Sequence, residues 1–308
     1  MELRYGIVGV GALGGFYGGK LAYHGNDVHF LFRGDYQHVK DNGLRIDSVD
    51  GDFILSQLNA YKESSDMPQC DVVLVCLKTT NNQKLKTILP PLLHKDTVVI
   101  LVQNGLGAEA DLANDFPSLN IAGGLAYIGS SKIAPGHIIH QNYGELSIGS
   151  YSCSNLNILE KIVNDLQKAG IKSQLVDLNS ARWRKLVWNI PYNGMTVVLD
   201  GKVDDLTACP STQELVLKMM EEVIAASKAI GIKEAITEDV VEEAICFSKN
   251  MSAYPTSMKL DYDHHRPLEI ESIYSRPLEE ARKAGIEMSC VAMLEQQLKF
   301  LMMRKGLL

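Results

Sequence analysis

The sequence of 308 residues lacks the features that mark membrane, disulfide-stabilised and nucleic-acid-binding proteins. No apolar run approaches the roughly 20 residues of a membrane-spanning helix, and the first residues lack the apolar core of a signal peptide. The six cysteines are scattered without a C-x-x-C pair, which is typical of free thiols in a reducing compartment. The net charge of −7 gives no basic character for binding nucleic acid or an anionic membrane. We therefore expect a soluble, cytoplasmic protein.

Metal-ligand spacing is also absent from the eight histidines. Only His264 and His265 are clustered, and adjacent loop residues rarely bind one ion, so no metal site is expected. The composition is that of an ordinary globular protein, with 46% hydrophobic and 22% charged residues. The length is sufficient for two domains, each with its own core.

Residues 3–33 have the pattern of a strand, a glycine turn, a helix and a second strand. Three glycines in a G-x-G-x-x-G pattern lie where the first strand gives way to the helix. In such a turn the first glycine allows the tight bend, the second lets a pyrophosphate approach the backbone, and the third lets helix and strand pack closely. A glycine-rich turn without a ligand is the alternative, which the surrounding β-α-β pattern disfavours. The predicted dinucleotide-binding residues are Gly9, Val10, Gly11, Ala12, Leu13 and Gly14.

The end of the second strand indicates which dinucleotide is bound. NAD-binding domains usually place Asp or Glu there to hold the ribose 2′-hydroxyl. This chain has Arg33, whose forked donors suit a 2′-phosphate, and we therefore favour NADP(H). A solvated surface arginine is the alternative, and Asp35, two residues further on, keeps NAD open.

Two further apolar runs, residues 71–77 and 97–102, predict buried parallel strands of a doubly wound sheet. Ligands bind beyond the carboxyl ends of such strands. Lys78 and Asn104 occupy those positions, as the glycine turn does. Three separate segments are therefore expected to meet a ligand at one edge of the sheet.

After about residue 176 the pattern becomes helical. Apolar residues recur at helical spacing in five segments, which predicts an all-α domain with a packed core. We therefore expect a Rossmann-type α/β domain over residues 1–176, followed by an all-α domain over 177–308. The predicted helices span residues 180–199, 212–230, 237–250, 268–284 and 289–304.

A polar row stands out in the first of these helices. Lys185, Asn189 and Asn193 are spaced four residues apart, so an intact helix aligns them on one face. Such a row indicates either a face turned toward a wet cleft or an ordinary solvent-exposed side, and spacing alone does not decide. Pro191 tends to kink the helix between the two asparagines, which makes Asn193 the less secure prediction.

Taken together, these segments resemble the ketopantoate reductase family (2-dehydropantoate 2-reductases), NADPH-dependent members of the 6-phosphogluconate-dehydrogenase-like superfamily. The resemblance covers the whole chain, with its motifs in the family's order. They are GVGALG at 9–14, the arginine after strand two, LK at 77–78, QNGLG at 103–107, GHIIH at 136–140, RWRKLVWN at 182–189, TSM at 256–258 and LEIE from 268.

The resemblance implies a role for each of the candidate residues. Lys185 corresponds to the general acid that protonates the carbonyl oxygen as hydride arrives from the nicotinamide, and Glu269 to a carboxylate contacting the cofactor and the active-site hydrogen bonds. The residues implied to lie near nicotinamide and substrate are Lys78 and Asn104, and those implied to bind the 2-oxo acid are Asn104, Asn189, Asn193 and Ser257.

Reduction of a ketone fits a lysine, since the developing alkoxide needs a proton or a positive charge. A lysine pKa of about 10.4 is high for an acid. Burial or a second cation such as Lys78 would lower it, whereas a close Glu269 would raise it, and the sequence leaves the direction open. A helix-capping or loop hydroxyl is the alternative for Ser257, and a first-turn carboxylate is the alternative for Glu269.

The sequence predicts NADPH-dependent reduction of 2-dehydropantoate to (R)-pantoate, in pantothenate and coenzyme A biosynthesis. The chain departs from the family at Pro191, at Val203, where an asparagine is common, and at Tyr274-Ser275, where Asn-Gly is common. These departures favour a rival, a related NADP-dependent reductase of another 2-oxo or 3-hydroxy acid. A non-catalytic NADP(H)-binding regulator is a second rival, and the helical domain could also offer a homodimer face.

Overall fold

The computed structural model describes residues 2–237, 239–250 and 255–307. The chain divides into two compact units. The first contains Met1–Gln103 and Ala108–Leu178, and the second contains Asn104–Gly107 and Asn179–Leu308. The segment Asn104–Gly107 therefore belongs to the second unit, although the residues on both sides of it belong to the first. A single domain boundary near residue 176 does not predict this.

The first unit is built on one sheet, with nine strands among the described residues, in the order β4-β3-β9-β8-β7-β6-β1-β2-β5. The central strands are parallel because apolar runs buried on both faces are joined by crossover connections. At one side β8 and β9 form an antiparallel pair. The strands are β1 (Arg4–Val8), β2 (Asp27–Leu31), β3 (Leu44–Ser48), β4 (Phe53–Leu55), β5 (Asn59–Tyr61), β6 (Val72–Val75), β7 (Val98–Leu101), β8 (Asn120–Ala134) and β9 (His137–Ser150).

The α-helices described in this unit are α1 (Ala12–Tyr23), α2 (Tyr36–Asn42), α3 (Leu85–Ile88), α4 (Ala108–Asp115) and α5 (Leu156–Lys168). The sequence also predicts a helix over residues 81–93, and this prediction is wrong. It is replaced by the single turn α3 between 3₁₀ turns at Thr79–Lys84 and Pro90–Leu92, since proline lacks the amide donor and threonine and asparagine favour turns. A short strand is likewise predicted from the sequence over residues 174–176, and this is also wrong, because only an isolated bridge joins Leu175 to Ile148.

The second unit is helical. Its core includes Trp183 and Ile190 from the first helix and Met219, Val223 and Ala226 from the long helix Pro210–Ile230. The predicted helix over 268–284 is divided into a π-helical turn, Glu271–Ser275, and an α-helix. The described helices are α6 (Leu178–Val198), α7 (Val203–Ala208), α8 (Pro210–Ile230), α9 (Asp239–Asn250), α10 (Ser257–Asp263), α11 (Arg276–Lys283) and α12 (Ser289–Arg304).

The Rossmann-type α/β unit followed by an all-α unit, as predicted, is confirmed. Of the helices described, none is both long and apolar enough to cross a membrane.

Candidate active site

The glycine turn lies between β1 and α1. Gly9 adopts a positive φ of 94°, and its carbonyl oxygen accepts a hydrogen bond of 3.0 Å from the amide of Gly11. Gly11 caps α1 without a side-chain hydrogen bond, so the first amides of the helix point outward with a partial positive charge. Val10, Ala12 and Leu13 are half-buried around the same turn.

Two glycines of this turn have different surroundings. A Cβ atom on Gly14 would overlap the carbonyl oxygen of Gly9, so glycine is needed there for close packing of helix and strand. A Cβ on Gly11 would meet no protein atom within 4 Å, so the backbone there is open to a ligand. This cradle suits the pyrophosphate of a dinucleotide.

The turn after β2 carries the residues that distinguish the two dinucleotides. Arg33 is exposed. The Asp35 carboxylate is already engaged, since it accepts hydrogen bonds of 2.8 and 2.9 Å from Lys132 and one of 3.2 Å from the Gly136 amide. Asp35 therefore anchors the β8–β9 turn, and these contacts disfavour it as a ligand of a ribose hydroxyl. Arg33 is therefore the residue of this turn that could hold a 2′-phosphate.

Lys78 is half-buried and follows β6. Its segment lies close to the glycine turn, since the amide nitrogen of the preceding residue, Leu77, is 3.0 Å from the position that a Cβ atom on Gly9 would take. The buried side chain of Gln103 holds this segment in place. It donates to the carbonyl of Leu77 at 2.8 Å and exchanges hydrogen bonds with the side-chain amide of Asn82 at 2.7 and 3.1 Å. Gln103 therefore holds the segment before Lys78, a role that no local pattern in QNGLG indicates.

In the helical unit, α6 carries the polar row of Lys185, Asn189 and Asn193. Lys185 is half-buried, whereas the exposed fractions of Asn189 and Asn193 are only 5% and 2%. The alternative of a solvent-exposed helix side is therefore wrong for both asparagines. Among the described residues, the Oδ1 atom of Asn193 has no hydrogen-bond partner. A buried acceptor of this kind fits a hydroxyl or amide donor of a ligand.

Ser257 is the first residue of α10 and is exposed. The preceding residue, Thr256, caps this helix by accepting a hydrogen bond from the amide of Lys259, so the cap proposed as an alternative for Ser257 belongs to its neighbour. The Thr256 hydroxyl also lies 2.9 Å from that of Thr196, which donates to the carbonyl of Asn193. Two threonines thus fix the start of α10 against the end of the polar row.

Asn104 and Glu269 are both held beside the π turn Glu271–Ser275. The amide of Leu106 donates to the carbonyl of Ser272 at 2.8 Å. Gly105 has a positive φ of 85°, and a Cβ there would overlap that same carbonyl group. Asn104 is half-buried, and Glu269 is buried two residues before the π turn.

Val203, one of the departures from the family pattern, and Asp200, three residues before it, have different surroundings. Val203 is buried in the helical core. The exposed carboxylate of Asp200 lies 2.9 Å from the ammonium of Lys259, which lowers the pKa of that carboxyl. Asp200 is therefore engaged in an ion pair at the end of α6.

No metal-binding cluster of three or more His, Cys, Asp or Glu side chains occurs in the part of the chain that the structure describes. His264, one of the two clustered histidines, contacts the carbonyl of Leu260 through Nδ1 at 2.7 Å.

Comparisons with known proteins identify both halves of the chain. Residues 5–152 match the family "Ketopantoate reductase PanE/ApbA", and residues 177–302 match "Ketopantoate reductase PanE/ApbA C terminal". The sequence is 45% identical to a 2-dehydropantoate 2-reductase from Nostoc sp. over 306 residues, covering 97% of this chain and 95% of the relative.

Solved structures give the same result. The 2-dehydropantoate 2-reductase from Geobacter metallireducens superposes with a TM-score of 0.93 at 37% identity, covering 97% of this chain and 99% of that one. A dimeric ketopantoate reductase from Staphylococcus aureus shares the fold, with a TM-score of 0.83 at 21% identity over 99% of this chain and all of its own.

Proposed function

The chain belongs to the ketopantoate reductase family, and we propose that it reduces 2-dehydropantoate to (R)-pantoate with NADPH, the step that leads to pantothenate and coenzyme A. The observation that carries this proposal is the nearly full-length identity of 45% to a 2-dehydropantoate 2-reductase. The glycine turn with its open Gly11 backbone and the exposed Arg33 support NADP(H) as the cofactor.

When bound, NADPH supplies a hydride to the carbonyl carbon of the 2-oxo acid. In this proposal the amides of the glycine turn and α1 hold the pyrophosphate, and Arg33 binds the 2′-phosphate. Lys78, fixed by its neighbours through Gln103, and Asn104 orient the nicotinamide and the substrate.

Lys185 is the general acid. As the carbonyl oxygen gains negative charge, the ammonium of Lys185 donates a proton to it, and its positive charge stabilises the developing alkoxide before transfer is complete. Asn189, Asn193 and Ser257 bind the carboxylate and hydroxyl groups of the substrate. Glu269 orients the cofactor and the hydrogen bonds around the acid.

The decisive experiment follows NADPH absorbance with purified protein and 2-dehydropantoate. A Lys185→Ala substitution is expected to lower kcat by about 10²- to 10⁴-fold, the usual contribution of a positioned acid, with little change in the KM for NADPH. Arg184→Ala is the matched control, since its side chain is exposed and paired with Glu243 on the outer side of the same helix. Equal turnover by the Lys185 variant and the wild type would exclude this role for the lysine.

A related reductase acting on a different 2-oxo acid is the second candidate. It is favoured by the buried Val203, whose side chain cannot hydrogen-bond a substrate, and by the engagement of the Asp200 carboxylate in an ion pair with Lys259. A panel of 2-oxo acids assayed with NADPH distinguishes the two. A wild-type enzyme that ignores 2-dehydropantoate but reduces another member of the panel would replace the substrate and keep the reaction. Cofactor binding without turnover on any member would favour the regulatory rival.

We also propose that the protein acts in the cytoplasm and forms a homodimer. The Staphylococcus aureus relative is described as dimeric. In this chain Met293, Phe300 and Met303 of α12 expose more than half of their apolar side chains, which an interface between two copies would cover.

A further inference from the structure

Two of the departures from the family pattern, Pro191 and Tyr274, are structurally connected. Pro191 lies inside α6, between Asn189 and Asn193, and the helix continues through it from Leu178 to Val198. Proline has no amide hydrogen, so one hydrogen bond of the helical ladder is missing at this point. Such a turn needs support from outside the helix if the residues around it are to keep fixed positions.

Tyr274 supplies that support. Its hydroxyl donates to the carbonyl of Ile190 at 2.9 Å, and the hydroxyl oxygen lies so close to Gly194 that a Cβ atom there would overlap it. The ring is fully buried, and burial raises the pKa of the phenol well above its usual value, so the group stays protonated. One phenol therefore joins both ends of the helical turn that contains Pro191 and Asn193.

The same π turn also holds the segment that contains Asn104. Its Ser272 carbonyl accepts the amide of Leu106, and Gly105 packs against that carbonyl without room for a Cβ. On its other side, the hydroxyl of Ser275 donates to the buried carboxylate of Glu295. A π-helical turn contains one residue more than an α-helical turn, and such turns are frequent at functional sites. Here Ser272, Tyr274 and Ser275 of the wider turn contact three different segments, which are residues 104–107, α6 and α12.

We propose that Tyr274 is a positioning residue, which fixes the turn of α6 bearing the substrate-binding asparagines and couples it through the π turn to Asn104. This inference rests on the proposed reductase function and extends it to a residue outside the family's pattern. Tyr274 acts on the 2-oxo acid only through Asn189, Asn193 and Asn104. The proline removes the helical donor to the carbonyl of Val187, and the phenol holds the carbonyl of Ile190, the residue before the proline. The two departures therefore lie in one arrangement, in which Tyr274 fixes the helical turn that the proline leaves with one hydrogen bond fewer.

The test is a Tyr274→Phe substitution, which keeps the ring and removes only the hydroxyl. The expected result is a rise of about tenfold in the KM for the 2-oxo acid, the effect of one lost positioning hydrogen bond. The KM for NADPH is expected to stay within about twofold of the wild type, since the glycine turn and Arg33 are untouched. A merely structural role would lower the melting temperature without this separation of the two KM values.

Two controls match the substitution. Tyr5→Phe removes the hydroxyl of another buried tyrosine, which donates to Asp165 at 2.8 Å in the first unit. Ser275→Ala removes a hydrogen bond from the far side of the same π turn. Both are expected to lower stability without changing the KM for the 2-oxo acid. An unchanged KM in the Tyr274 variant, or the same rise in both controls, would overturn the proposal.

A second variant keeps the proposal testable if the phenylalanine variant does not fold. Gly105→Ala presses a methyl group against the Ser272 carbonyl and displaces the π turn from its other side. It is expected to raise the KM for the 2-oxo acid by at least the same factor, and an unchanged KM would contradict the coupling. Failure of the proposed function is recognised separately, because the wild-type enzyme would then have no activity with any 2-oxo acid. If the wild type reduces a different 2-oxo acid, the same comparison is made with that substrate.

Discussion

Replacement of Arg33 by serine is expected to weaken the use of NADPH selectively. The Arg33 side chain is exposed at the carboxyl end of β2, where the adenosine ribose of a bound dinucleotide lies. Hydrogen bonds between a guanidinium and a phosphate contribute about 1.5–3 kcal/mol, and solvent screening at an exposed site favours the lower end. The KM for NADPH should therefore rise about tenfold, whereas the KM for NADH should change little because NADH has no 2′-phosphate.

Asp35→Asn is the comparison that separates the two cofactor hypotheses. If the Asp35 carboxylate held the ribose 2′-hydroxyl of NADH, this substitution would raise the KM for NADH. Because Asp35 is engaged by Lys132 and the Gly136 amide, we expect instead an unchanged KM for NADH and a lower melting temperature as the β8–β9 turn loosens.

The assay compares kcat/KM for NADPH and NADH in the wild type and both variants at saturating 2-oxo acid. Our reasoning predicts that the NADPH:NADH ratio falls about tenfold in Arg33→Ser and does not fall in Asp35→Asn. Equal losses with both cofactors in Arg33→Ser, or a higher KM for NADH in Asp35→Asn, would refute the assignment of the 2′-phosphate to Arg33.

Two other predictions concern stability and assembly. Burial lowers the pKa of His140, whose Nδ1 atom lies 2.8 Å from the Ser48 hydroxyl and 3.9 Å from the carboxylate of Asp50, itself paired with Lys20. The unfolded chain therefore takes up a proton at this histidine near pH 6.5, whereas the folded chain takes it up only at a lower pH. The free energy of unfolding should therefore fall as pH drops below 6.5, by up to about 1.4 kcal/mol per pH unit for this group, until the lowered pKa is passed. His140→Gln should flatten the pH profile of the melting temperature over this range. If the slope stays unchanged, the pH dependence comes from other groups, such as His29, whose pKa is also lowered by burial. In solution the mass measured by light scattering should be that of two chains, and a monomer at all concentrations would exclude the homodimer.

Much of the fold could be predicted because its signals are local. Continuous apolar runs defined the parallel strands, and the helix predicted over 289–304 matches α12 to the residue. The short strand β5 escaped detection because three residues show no period, and its place beside β2 depends on pairing across the sheet. The long helix expected over 81–93 failed because turn-forming side chains and two prolines outweighed its apolar spacing.

The candidate site was predictable only in part. The glycine turn and the polar row of α6 are visible as spacing, but the contacts that fix them come from distant segments. Tyr274 meets Ile190 across more than 80 positions of the sequence, and Thr256 meets Thr196 across 60. No local pattern marks a buried phenol or threonine as a support for a helix 60 or more residues away. The engagement of Asp35 by Lys132 is hidden in the same way, and it is the contact that weighs against NAD.

The placement of Asn104–Gly107 with the helical unit has a consequence for how the chain folds during synthesis. The strand before this segment and the helix after it leave the ribosome early, and N-terminal regions generally fold first. The hydrogen bond from Leu106 to Ser272 must wait until most of the helical unit has been made. The segment Asn104–Gly107 therefore lacks this hydrogen bond in the nascent protein. A fragment ending near residue 176 would contain the segment but not the Ser272 carbonyl that it packs against.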